Sequence, residues 1–197
     1  VETSAVVKTE YNGIALKAGA WYGSYDTDTY YEGNGEYDID ELDLTAEASK
    51  DLGFATGSIG YIYYNNEEIG MGPYTITDDA QEAYASLSRD LGFAKGYATY
   101  FWDLEGDNDG YSEVGLSRGF ELNQCLNLNV GTNLGYLVEQ GQATAWTTRA
   151  SLDWAFAEHA KLSPFVALSV SLSDDSDSYY EGADNELIGG TQLSVSF

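Results

Sequence analysis

The sequence predicts an all-β chain, an antiparallel up-and-down barrel of about ten strands, with about eight or twelve left open. Three observations carry this. Apolar and polar residues alternate with period two over most of the chain, connections between the alternating runs are short and long in turn, and acids crowd into every second connection.

The runs follow one another in order. In 13–24, Lys17, Gly19 and Trp21 share a face, and in 37–50 Asp43 and Glu47 do. Run 55–64 sets Ser58 and Gly60 against Tyr61 and Tyr63, and 82–90 places Glu82, Tyr84 and Ser86 together. In 94–103, Lys95, Tyr97, Phe101 and Asp103 oppose Tyr100 and Trp102, and 111–119 aligns Glu113, Gly115 and Ser117. The clearest run is 125–137, where Leu126, Leu128, Val130, Thr132, Leu134 and Tyr136 alternate with Asn127, Asn129, Gly131, Asn133 and Gly135. Run 144–156 opposes Trp146, Leu152 and Trp154 to Arg149, Ser151 and Asp153. Leu162, Val166, Leu168 and Val170 mark 160–173, and Leu193, Val195 and Phe197 close 186–197. An internal repeat supports two of the hairpins: SKDLGFATG at 49–57 recurs as SRDLGFAKG at 88–96. Residues 1–12 are read as an N-terminal segment, a plug or an extra strand, and 69–77 as a further candidate strand.

Composition bounds the rest. The 197 residues (21.5 kDa) make a single domain, 1–197, with 33 acids against 8 Lys and Arg and a formal charge of −25. Nucleic acid is thereby excluded as a partner, because phosphate contacts need clustered bases. One Cys and one His allow neither an internal disulfide nor a zinc ligand set, and no cofactor is expected. No apolar run reaches the roughly 18 residues of a spanning helix. No apolar leader opens the sequence either, so the chain reads as cytosolic or as having shed its signal.

The two kinds of connection differ in charge. Segments 25–36, 65–81, 104–110, 138–143 and 174–185 hold Asp26, Asp28, Asp107, Asp109, Asp174, Asp175 and Asp177 among many other acids, and no Lys or Arg. Lys50, Arg89, Arg118 and Lys161 lie instead at the short turns. Short turns at one end, long loops at the other and an uncharged apolar face describe a transmembrane β-barrel. In lipid only a closed sheet satisfies its own backbone. A soluble β-sandwich also alternates, but it has no reason to sort acids into alternate loops.

The terminal stretch GGTQLSVSF, with Leu193, Val195 and Phe197, resembles the last strand of bacterial outer-membrane proteins. In that family this segment is the signal read by the barrel assembly machinery; Gly190 matches its spacing, while Ile188 replaces the polar residue common there. More loosely, the whole chain is similar to the small porins of Gram-negative bacteria of the TorF type, whose hairpins run from acidic aromatic loops through Leu-Gly turns. The resemblance implies a passive diffusion channel in the bacterial outer membrane, set among lipid and lipopolysaccharide, with acidic loops extracellular and termini periplasmic. A homo-oligomer is left open.

Alternation then assigns a lumen face bearing Lys17, Lys95, Arg149, Glu47, Glu82, Asp103, Glu113 and Asp153. Charge there is tolerated only when hydrated or paired. Many small inward residues favour an open lumen, whereas Trp21, Tyr84, Tyr97, Phe101 and Phe165 would narrow it. The acidic loops form a mouth that attracts cations and repels anions. No specific metal site follows; Asp103, Glu105, Asp107 and Asp109 are the weak calcium candidate, because the spacing departs from an EF-hand. An enzyme is not expected: His159, the sole histidine, falls in a short turn, away from the acidic end. The alternative reading is a non-conducting barrel that adheres, or supports the envelope, through Tyr-rich acidic loops.

Overall fold

The computed structural model describes residues 2–27, 37–69, 79–105, 110–172 and 185–196. Eleven strands account for most of them: β1 (Glu2–Tyr11), β2 (Ile14–Thr27), β3 (Tyr37–Asp51), β4 (Thr56–Ile69), β5 (Ala80–Asp90) and β6 (Lys95–Asp103). β7 (Tyr111–Asn123), β8 (Leu126–Leu137), β9 (Gln142–Ala157), β10 (Ala160–Ser171) and β11 (Glu186–Val195) follow. They form one antiparallel sheet in sequence order, without helices among the described residues and without closure of that sheet into a barrel.

The chain groups into two compact units, Val1–Ser86 with Phe101–Asn108, and Leu87–Tyr100 with Asp109–Phe197. In the first, Lys17 stands opposite Glu47, and Glu47 opposite Gly60. In the second, Gly115 pairs with both Tyr97 and Asn133, and Gly131 with Arg149.

Residues 1–12 supply the strand that alternation alone did not place, so the count is eleven rather than ten. Its turn has a local cause: Asn12 and Gly13 both hold positive φ, 52° and 73°, which a two-residue hairpin of this twist requires. Tyr11 then pairs with Ile14 and the ladder runs back to Glu2 opposite Gly23. β1 therefore starts beside the β2–β3 connection, while β11 ends beside the β9–β10 turn, where the Ser196 amide donates to the His159 carbonyl at 2.9 Å.

The repeated segment builds the same turn twice. Leu52 donates to the Ala55 carbonyl and Leu91 to that of Ala94, at 2.9 and 2.8 Å. Asp51 and Asp90 each accept the amide two residues on, at 2.7 Å, and Gly53 and Gly92 both adopt φ 86°. A left-handed residue with a Cβ is strained there.

Little apolar side-chain surface is buried. Among the described residues the buried apolar side chains reduce to Leu137, whereas Trp102, Trp146 and Trp154 are 56%, 54% and 50% exposed. Along β5, Glu82, Tyr84 and Ser86 are half-buried while Ala85, Leu87 and Arg89 are exposed. β10 does the same, covering Ser163, Phe165 and Ala167 and exposing Pro164, Val166 and Leu168. Along these two strands the polar face is thus the covered one.

Substituting Gly53→Ala or Gly92→Ala should cost about 1–2 kcal/mol through backbone strain alone, since nothing lies within 4 Å of a Cβ at either site. Gly131→Ala, where the nearest atom is the Leu116 carbonyl at 3.6 Å, should stay within about 0.5 kcal/mol. Urea midpoints measure both; equal losses would contradict the turn geometry.

Candidate functional site

The polar face is built from charged residues held by tyrosines and amides on neighbouring strands. In the first unit, the Tyr84 hydroxyl donates to Glu47 Oε2 at 2.6 Å, reaching from β5 to β3 across β4. It can do so because Gly60 stands in between, and a Cβ there would strike the Tyr84 ring. Tyr64 donates to Glu82 Oε2 at 2.7 Å, and Phe101 packs on Tyr84 with ring centroids 5.7 Å apart.

The second unit repeats the device. Glu113 accepts from Tyr97 on β6 and from Asn133 on β8, each at 2.5 Å, so both carboxylate oxygens are held. The Tyr97 ring lies over Gly115, Tyr111 over Gly135 and Phe165 over Gly190. On the Phe165 ring rests the Arg149 guanidinium, 3.9 Å from the centroid. Stacking there gives the guanidinium a fixed position on the face. Lys161 Nζ donates to Asp153 Oδ2 at 2.6 Å, an ion pair that neutralises Asp153 within the face.

The opposite face contains polar atoms tied to the protein itself. Trp146 Nε1 donates to Thr132 Oγ1 at 2.6 Å, while Thr132 Oγ1 also meets Thr148 Oγ1 at 3.0 Å. Arg118 Nη1 donates to the Phe93 carbonyl at 2.7 Å, with its guanidinium over the Phe120 ring. At the acidic-loop side of β4, Tyr61 donates to Gln81 at 2.5 Å and Tyr63 to Asp79 Oδ2 at 2.6 Å. A groove of about 440 Å³ also opens in the second unit, walled mainly by Leu91, Leu116, Leu134 and Trp146 over Gly96. Its walls are predominantly apolar, with Thr132 among the polar residues that line it.

The residues singled out from sequence are placed unequally. Lys17, Glu47 and Glu82 lie in the first unit, and Lys95, Glu113, Arg149 and Asp153 in the second, each on the polar side of its strand. Asp103 Oδ1 accepts the Glu105 amide at 2.8 Å, and Glu105 accepts from Gln81, so these two stabilise the end of β6. Asp107 and Asp109, the rest of that calcium candidate, lie outside the described residues. No group of three metal-ligating side chains forms among the described ones. Of the acidic mouth, Asp26 belongs to β2, its backbone opposite Asp38, whereas Asp28, Asp174, Asp175 and Asp177 lie outside the described residues. Leu193 and Val195 are exposed on β11, and Phe197 is outside. His159 sits in the β9–β10 turn with Glu158 Oε1 at 3.9 Å.

Sequence reading missed Tyr64 and Asn133 as partners of the acids, and placed Lys161 at the short-turn end of its strand without pairing it to Asp153. Matching parity along β4 and β8 was the available signal; which acid each reaches depends on register across strands. Comparison with family profiles, curated proteins and solved structures finds no match.

A double-mutant cycle tests the Tyr84–Gly60 contact. Gly60→Ala should destabilise the wild-type background by at least about 1 kcal/mol and cost much less in Tyr84→Ala, where the ring is gone. Additive losses in urea titrations would refute the contact.

Proposed function

We propose that this chain is a bacterial outer-membrane β-barrel that acts as a small porin-like channel, passing small solutes or ions by passive diffusion and favouring cations. The observation that carries the reading is the inverted burial: tryptophans and leucines exposed on one face, carboxylates, amides and glycines covered on the other. Such a large apolar surface is unfavourable in water and is what hydrocarbon solvates. Polar atoms on the apolar face are bonded within the protein, as at Trp146, Thr132 and Arg118, which is the condition for residing in lipid. The barrel itself, its insertion by the assembly machinery through Leu193, Val195 and Phe197, and its contact with lipopolysaccharide belong to this proposal.

An open lumen is favoured by how the aromatic rings lie. Tyr84, Tyr97 and Phe165 are laid over Gly60, Gly115 and Gly190. Rings folded along the sheet occupy less depth than rings standing off it. Hydrated acids on this face and acidic loops at the extracellular mouth would enrich cations by several-fold.

Single-channel recording in a planar bilayer under a KCl gradient tests the function. Stable steps with a cation-selective reversal potential are expected, and Arg149→Glu should move that potential further towards the cation limit. Reproducible insertion without conductance would overturn the channel and leave the barrel as a binding or structural element. Conductance with a reversal potential indifferent to Arg149→Glu would remove Arg149 from the lumen.

A further inference from the structure

The groove of about 440 Å³ lies wholly within the second unit. Its floor exists because position 96 has no side chain: a Cβ there would come 2.9 Å from Leu91 Cδ1 and 3.5 Å from Leu116 Cδ2. From Leu91 at the short turn it runs past Leu116 and Val114 to Leu134 and Trp146. The polar side chains that line it are already bonded within the protein, Thr132 to Trp146 and the Thr147 carbonyl, Tyr97 and Asn133 to Glu113. Resting on the barrel reading above, which puts the face of Leu116 and Trp146 in lipid, we propose that this groove holds one acyl chain of an anionic phospholipid whose phosphate is bound by Arg118 and Arg89.

The two arginines mark the end of the groove where a headgroup belongs. Arg118 follows Leu116 by two residues along β7, so both share one face. Its Nη1 donates to the Phe93 carbonyl at 2.7 Å and its guanidinium lies over the Phe120 ring. These contacts fix the plane of the fork and leave further N–H groups for an anion. Arg89 is exposed, one residue before the end of β5. In the twin turn Lys50 pairs with Gly57, and the same closing bond, Leu91 to Ala94, sets Arg89 at the corresponding place beside Gly96. Among the described residues neither arginine has a carboxylate within ion-pair distance. Asp90 and Glu121, the neighbouring acids in sequence, alternate onto the other face, where Asp90 caps its own turn.

Charge selects the occupant. An arginine on a lipid-facing surface is costly unless it meets a counter-charge at headgroup level, and a phosphate takes a guanidinium through two parallel hydrogen bonds. Two arginines beside one apolar channel favour a lipid of net negative charge over a zwitterionic one, whose own ammonium offsets its phosphate. A second copy of this chain or an apolar peptide would fill the groove and leave both arginines without a counter-charge.

Tryptophan quenching tests the site in the full chain folded into phosphatidylcholine vesicles. Trp21, Trp102 and Trp154 are replaced by Phe so that Trp146, on the groove wall, is the reporter; a parallel chain keeps Trp154 in place of Trp146, exposed but outside the groove. Phosphatidylglycerol with brominated chains is titrated in and compared with brominated phosphatidylcholine. The anionic lipid should quench Trp146 with about fivefold higher apparent affinity, and Trp154 should respond to both lipids alike. Arg89→Gln with Arg118→Gln should bring the Trp146 ratio to unity. Arg89→Gln alone removes no hydrogen bond among the described residues and should lower the ratio part of the way. Equal quenching of Trp146 by the two lipids would overturn the proposal, as would a preference that survives the double variant or is shared by Trp154. So would a Trp146 shielded from both lipids by a second copy cross-linked over it. Heat-dependent gel migration and protease protection report insertion separately. Their absence would overturn the barrel reading together with the lipid site; their presence with equal quenching would overturn the lipid site alone.

Discussion

Everything in this structure depends on the period-two pleat being kept in phase through every strand. A slip of one residue would exchange the faces, putting Glu47 or Glu113 among the tryptophans and leucines. The register irregularities fall where that harm is least. They lie between Glu121 and Asn123, between Leu134 and Tyr136, and between Ala160 and Lys161, each within a few residues of a connection. Mid-strand, the β2–β3, β3–β4 and β8–β9 ladders run without interruption.

Given that phase, glycines on the polar face become places where a neighbour's ring can lie down. Tyr84 over Gly60 and Tyr97 over Gly115 each direct a hydroxyl to a carboxylate, Glu47 and Glu113. The ring covers backbone that glycine leaves bare, and the hydroxyl fixes the position of the acid. Lys161 treats Asp153 differently, cancelling its charge with an ion pair. One face therefore holds acids bound by neutral donors and at least one bound by a cation.

Much of the fold was legible because alternation and turn residues act locally. Long runs such as Leu126–Leu137, and the twin Asp-Leu-Gly-Phe-Ala turns, needed no knowledge of the rest of the chain. β1 escaped because Val6 and Val7 are adjacent and Thr, Ser and Ala blur its two faces, although Asn12–Gly13 carried a hairpin signal. At the site, parity sufficed to put Lys17, Arg149, Glu82 and Glu113 on the polar side. It could not show that Tyr84 reaches over an entire strand to Glu47, which takes the register of β3, β4 and β5 together. Nor could it show Arg149 on Phe165, a contact between adjacent strands that depends on stagger.

The duplicated turn at Gly53 and Gly92 has a consequence for how such a sheet changes size. Each copy joins a descending to an ascending strand and contains its own cap, Asp51 or Asp90, and its own closing bond. A hairpin of this kind is a self-sufficient cassette. Gaining or losing one would alter the width by two strands and leave the direction and facing of every other strand as they were.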